Sequence, residues 1–183
     1  KSYPTIKTLI YVDNNNNNKQ DNNEYPKHNL KLTLSNNNYT YTNTQGSAYI
    51  NADSLGTYTI TAQAPPLYKA VPASYTHTFN SYDTLVLDTF ALQPLITKDS
   101  LSIGITPINF AARPGFKYVY ECSFENVGTT ILNPTISFIV DTSKLIFDST
   151  NNAAINFSGN ALSYSLNNFV PGQTNSFLVY CTV

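Results

Sequence analysis

Apolar and polar residues alternate with a period of two along almost the whole chain, and helical periodicity is nearly absent. Successive side chains of a strand face opposite ways, so this pattern predicts half-buried strands. Residues 5–12 (TIKTLIYV) set it clearly, with Ile6, Thr8, Ile10 and Val12 on one face. Further strands are expected at 29–35, 38–43, 46–51 and 57–63, and then, beyond the loop APPLYKAVP, at 74–79 and 84–92. Short strands so closely spaced predict a β-sandwich rather than an α/β fold. A second series is expected at 100–108, 116–126, 135–141, 144–147, 162–166 and 175–183. Pro114-Gly115, Val127-Gly128 and Pro171-Gly172 punctuate it as turns. The expected fold is therefore all-β, with two tandem β-sandwich domains at 1–93 and 100–183 joined by a linker at 94–99.

Composition refines this picture. Hydrophobic residues make up 42% of the 183, enough for real cores, while charged residues are only 11%. The polar surface is then built from Asn, Thr, Ser and Gln. The net charge of −1, with no basic block, excludes nucleic acid and anionic membranes as partners. No apolar run reaches the length of a membrane span, so no membrane insertion is expected. Lys1 opens directly into a strand-like segment without a signal peptide, which reads as a mature or excised fragment.

Residues 13–24 read DNNNNNKQDNNE. Calcium takes six to eight oxygens, and a twelve-residue loop can supply them from positions 1, 3, 5, 7, 9 and 12. Those positions hold Asp13, Asn15, Asn17, Lys19, Asp21 and Glu24. Position 7 contributes a backbone carbonyl, which suits Lys19, and position 12 a bidentate carboxylate, which suits Glu24. Position 6, usually Gly, is Asn18, a residue that tolerates positive φ. Every acid of the stretch occupies a ligand position. Calcium is the expected cofactor, with an affinity of about 10⁻⁴–10⁻³ M and a stiffening role. A solvated Asn-rich hairpin turn is the competing expectation.

The remaining chemistry is sparse. Cys122 shares a strand face with Tyr118, Tyr120 and Phe124, and Cys181 with Phe177, Val179 and Val183. Two inward cysteines on different strands either pair as a disulfide in an exported protein or remain separate buried thiols. The sequence leaves both open, because it does not give their Cα separation. His28 and His77 lack metal-ligand neighbours, and His77 is expected on a strand surface. No phosphate loop, nucleophile elbow or acid/base pair is evident, so no enzymatic activity is expected. Tyr39, Tyr41, Tyr49 and Tyr58 alternate along strands. They are expected to pack cores and cover strands, with a sugar-stacking face as the alternative.

The stretch IYVDNNNNNKQDNNEYPKHNLKLTL, with TNTQGSAYINADSLGTYTITA downstream, resembles the Sdr B-repeat and collagen-adhesin B-like domains of bacterial surface proteins, over about residues 5–92. Gly46, Gly56 and Tyr58 occupy the matching positions, whereas the glycine of loop position 6 is replaced. The resemblance implies a prealbumin-like sandwich. Some relatives carry a Lys–Asn isopeptide cross-link, for which Lys7 is a candidate that alternates with the apolar face. Residues 100–183, through ITPINFAARPGFKYVYECSFENVGTTIL and GNALSYSLNNFVPGQTNSFLVYCTV, resemble Ig-like domains of Bacteroidetes proteins exported by type IX secretion. Asp53-Ser54-Leu55, Asp83-Thr84-Leu85 and Asp99-Ser100-Leu101 look like the O-glycosylation motif of such proteins. Together these imply a secreted or cell-surface, calcium-stiffened structural or adhesive module whose partners are other domains of the same large protein. A carbohydrate- or host-ligand-binding module, or a cargo segment of an export or gliding-motility assembly, are the alternatives.

Overall fold

The computed structural model describes residues 3–108 and 111–183. The expectations that fall on Lys1, Asn109 and Phe110 lie outside the described residues. Fifteen strands and no helix make up the regular structure of the described residues, so the all-β expectation holds. No helix among these residues is long and apolar enough to cross a membrane. The chain divides into two compact units, Lys1–Lys98 and Asp99–Val183.

The first unit contains β1 (Thr5–Val12), β2 (Lys31–Leu34), β3 (Tyr39–Tyr41), β4 (Ser47–Asn51), β5 (Gly56–Ala62), β6 (Tyr68–Val71), β7 (Ser74–Phe79) and β8 (Leu85–Pro94). They form two four-stranded sheets, ordered β4-β1-β8-β6 and β3-β2-β5-β7. β1 lies between an antiparallel partner, β4, and a parallel one, β8. Ile6, Ile10 and Val12 of β1 bury against Leu32 and Leu34 of β2, Ile60 of β5 and Phe90 and Leu92 of β8. Removing a side chain of this size from water contributes roughly 1.5–3 kcal/mol. Leu95 still donates its N–H to the Leu67 carbonyl at 2.9 Å, so the start of the expected linker is tied to the first unit's sheet.

The second unit contains β9 (Leu101–Pro107), β10 (Lys117–Asn126), β11 (Thr135–Ile139), β12 (Ile146–Thr150), β13 (Asn156–Ser158), β14 (Ala161–Ser165) and β15 (Thr174–Thr182). Their sheets are ordered β12-β15-β10-β9 and β11-β14-β13. Cys122, Phe124, Phe138, Leu162, Phe169, Phe177 and Val179 lie in one buried cluster. Asn126 closes the end of β10 from a fully buried position. Its amide donates to the Thr130 and Phe169 carbonyls at 2.8 and 2.7 Å, and its Oδ1 accepts the Gly128 N–H at 3.0 Å. A buried polar side chain is tolerated when it is hydrogen-bonded in this way.

Candidate functional site

The Asn-rich loop follows directly on β1. Asp13 N–H donates to the Leu92 carbonyl at 2.9 Å, carrying the β1–β8 ladder one residue further. Val12 N–H donates to Tyr25 O at 2.9 Å and Lys27 N–H to Ile10 O at 2.8 Å, which closes the loop's base. Asp13 is fully buried. Its Oδ1 accepts the Asn17 N–H at 3.1 Å, and its Oδ2 accepts the Asn18 N–H at 3.0 Å and the Gln93 amide at 2.9 Å.

Two successive Asx turns fold the middle of the loop, because a short side-chain carbonyl reaches the N–H two residues on. Asn15 Oδ1 accepts Asn17 N–H at 3.0 Å, and Asn17 Oδ1 accepts Lys19 N–H at 2.8 Å. Asn16 and Asn18 take φ of 60° and 61°, the left-handed region that Asn tolerates better than other non-glycine residues. Asn18 therefore does what a glycine does at that position. Glu24, also buried, accepts Asn14 N–H on Oε1 at 2.8 Å and Asp21 N–H on Oε2 at 3.1 Å. Asp21 Oδ2 accepts the amides of Asn15 and Asn17 at 2.7 and 2.9 Å. The six expected positions thus fold into one connected network, to which exposed Lys19 contributes through its backbone.

Three residues around the loop escape the sequence pattern. Gln93, on β8, bonds both Asp13 and Asn18 Oδ1, the latter at 3.1 Å. Asn14 Oδ1 and the Tyr11 hydroxyl are buried without a hydrogen-bond partner among the described atoms. Burial, followed by the charges of Asp13, Glu24 and Asp21, pushes the Tyr11 phenol up to about 12. The donors to the three carboxylates named here are all neutral amides. Among the described residues no three of His, Cys, Asp and Glu gather as a metal cluster. A cation held here would take amide and backbone oxygens beside the carboxylates, as calcium does.

The cysteines do not form a disulfide. Both are free and buried. In the antiparallel β10–β15 pair Cys122 lies opposite Phe177, and Cys181 opposite Tyr118. That offset of four residues is about 13 Å along a strand, well past the ~7 Å at which two Cα atoms can be bridged. Burial first, then Cys181 and Glu121, pushes the Cys122 thiol up to about 11. Burial, then Asp148, raises Cys181. Native protein at neutral pH is expected to resist a thiol-disulfide reagent, and unfolded protein to release two thiols without reductant. A single mixed population with no titratable thiol after unfolding would contradict the register. The neutral thiol is the form the fold favours, so Cys122 stabilises the second unit below its unfolded pKa of about 9. That contribution is lost as pH rises through about 11.

His77 also departs from expectation. Its Nε2 lies 2.9 Å from both Asp88 carboxylate oxygens, and the Asp88 side chain is only 1% exposed. The pair links β7 in one sheet to β8 in the other, so His77 is an inter-sheet contact rather than a surface residue. Lys7 lies on the outer face of β1 with its ammonium 5.5 Å from the Tyr49 ring centroid. Of the four alternating tyrosines, Tyr58 is buried and its hydroxyl meets Ser54 N–H at 3.2 Å. Tyr39, Tyr41 and Tyr49 are exposed.

No family model and no curated protein matches the chain. Among solved structures, it is similar to the full-length major pilin SpaD from Corynebacterium diphtheriae, at 10% identity and a TM-score of 0.37, over 98% of this chain and 58% of that one. The minor pilin GBS52 of Streptococcus agalactiae matches at 14% identity and a TM-score of 0.40, over 53% of this chain and 47% of that one. The major pilin subunit BcpA of Bacillus cereus matches at 12% identity and a TM-score of 0.37, over 100% of this chain and 59% of that one. The chain thus spans between 47% and 59% of these proteins, and likeness at this level leaves its function to its own residues.

Proposed function

We propose that the chain is a non-enzymatic structural or adhesive segment of a bacterial cell-surface or secreted protein, and that calcium stiffens its first unit. The observation that carries the cation is the network at 13–24. Three carboxylates, two of them buried, are satisfied by neutral donors alone in the contacts described, and the turns that would wrap an ion are already formed. Asp13, Asn15, Asn17, Asp21 and Glu24, with the Lys19 carbonyl, are the proposed ligands. Asn15 Oδ1 and Asn17 Oδ1 each keep a second lone pair beside the backbone N–H that they accept. The ion supplies charge neutralisation. The chain supplies a loop tied to β8 through Asp13 and Gln93, so stiffness at the loop passes into the sheet. Other domains of the same protein are the proposed partners, and the surface location, the Ig-like character of the second unit and type IX export rest on the sequence resemblance.

Thermal melting tests this. At about 10 mM calcium and a dissociation constant of 10⁻⁴–10⁻³ M, binding to the folded state alone adds about 1.4–2.7 kcal/mol. The first unit's midpoint is expected to rise by at least about 5 °C. The Glu24→Gln variant is expected to lose most of that rise. An unchanged melt for the wild-type chain would remove calcium from the account.

A further inference from the structure

The open edges of the two sheets in the first unit carry a second feature. β3 ends one sheet and β4 ends the other. On β3, the YTY alternation turns Tyr39 and Tyr41 outward together, 61% and 50% exposed. On β4, Tyr49 is 58% exposed. Tyr39, Tyr49 and Tyr3 border one cleft of about 400 Å³, whose lining also includes Asn38, Asn51 and Asp53. That volume falls within the range of small-ligand sites.

The polar lining is held in place. Asp53 accepts the Asn36 amide on one carboxylate oxygen at 2.6 Å and the Asn38 amide on the other at 2.8 Å. Asn38 N–H in turn donates to Asn36 Oδ1 at 3.1 Å. The Thr5 hydroxyl donates to Asn51 Oδ1 at 2.9 Å, which fixes that amide's plane. The rings are positioned too. Lys31 Nζ sits 4.7 Å from the Tyr39 centroid, Lys7 Nζ 5.5 Å from that of Tyr49, and Tyr41 meets Tyr39 edge-on at 6.0 Å. Groups ordered before binding cost less to order on binding.

We propose that this cleft binds a neutral carbohydrate, one pyranose ring stacking on Tyr39 or Tyr49 while its hydroxyl pairs meet the planar Asn38, Asn51 and Asp53 groups. A pyranose carries axial C–H bonds on one face and hydroxyls around its rim. The C–H bonds suit the negative face of an aromatic ring, and planar amide and carboxylate groups can engage two adjacent hydroxyls at once. A purely apolar partner would strip water from Asp53 and the asparagines and offer no hydrogen bond in return. The site is independent of calcium, since none of its residues belongs to the 13–24 loop.

The test is affinity electrophoresis of the whole chain through gels containing β-glucan, xylan, mannan, pectin or hyaluronan. At least one neutral polysaccharide is expected to retard the wild-type chain. Tyr39→Ala or Tyr49→Ala is expected to weaken that binding by about tenfold, some 1.4 kcal/mol. Tyr49→Phe should largely restore it, because the ring does the stacking. Leu87→Ala, at an outward residue 72% exposed, is expected to leave it unchanged. Each of four results would overturn the proposal. These are no retardation in any gel, retardation indifferent to both alanine variants, and binding to pectin or hyaluronan alone that salt abolishes. The fourth is a concentration-dependent self-association that the variants remove without any polysaccharide effect.

Discussion

Replacing His77 by Ala is expected to cost the first unit about 3–5 kcal/mol, because it strands a buried carboxylate. Asp88 lies in the β1–β8 ladder opposite Thr8, inside the sandwich, and Nε2 of His77 meets both its oxygens. Tyr75 stacks on the His77 ring at 6.3 Å and 12°, which holds the imidazole in place. The cost comes from the charge left behind rather than from the pair itself. The double variant His77→Leu with Asp88→Leu is therefore expected to be more stable than His77→Ala alone. Denaturant unfolding of the three proteins measures this, and a His77→Ala loss below about 1 kcal/mol would show that the contact carries no such burden.

Gly46→Ala is the second large effect. Gly46 has φ of +68°, and a Cβ there would stand 2.3 Å from Ile10 O and 2.7 Å from Pro26 Cβ. Neither neighbour can yield cheaply. Ile10 O already accepts the Lys27 N–H, and Ile10 N–H donates to Gly46 O at 2.8 Å. The left-handed strain and the forced shift of β1 together are expected to cost about 3–5 kcal/mol. The same shift loosens the Ile10–Lys27 closure beneath the loop, so the variant's calcium response is expected to fall with its stability. A Gly46→Ala protein with wild-type unfolding would mean that the β1–β4 edge is not packed as described.

Much of this fold is legible in the sequence where one face of a strand is buried. TIKTLIYV reads as β1, since period-two burial from Thr5 to Ile10 leaves no other register, and only Tyr11, also buried, departs from the alternation. β6 was not expected. It lies inside APPLYKAVP, where Pro65, Pro66 and Pro72 signal a loop, and it forms only by pairing Tyr68–Val71 against the far end of β8. β13, three residues long, is too short to show a period. The strand expected at 144–147 lies at Ile146–Thr150, where an irregularity between Phe147 and Ser149 breaks the alternation. Asp148 sits in that break and is held by Lys117 at 2.8 Å and Thr182 at 2.9 Å.

The fold of the loop at 13–24 is legible for a different reason. Asx turns act over two residues and positive φ is a property of single residues, so spacing alone reveals them. What anchors the loop is not local. Gln93 reaches Asp13 across 80 residues of sequence, through a parallel β1–β8 pairing that no nearby pattern announces. The cysteines show the converse. Alternation turns each cysteine to the buried face of its own strand, but their separation depends on a register between distant strands.

A calcium titration followed by amide NMR bears most directly on the calcium site proposed at 13–24. The amides of Asn14, Asn17, Asn18, Lys19 and Asp21 are expected to shift together and to saturate at one ion per chain in the millimolar range or below. Those of 99–183 are expected to stay in place. Amides at 13–24 that remain unmoved at millimolar calcium, or that drift without saturating, would contradict it.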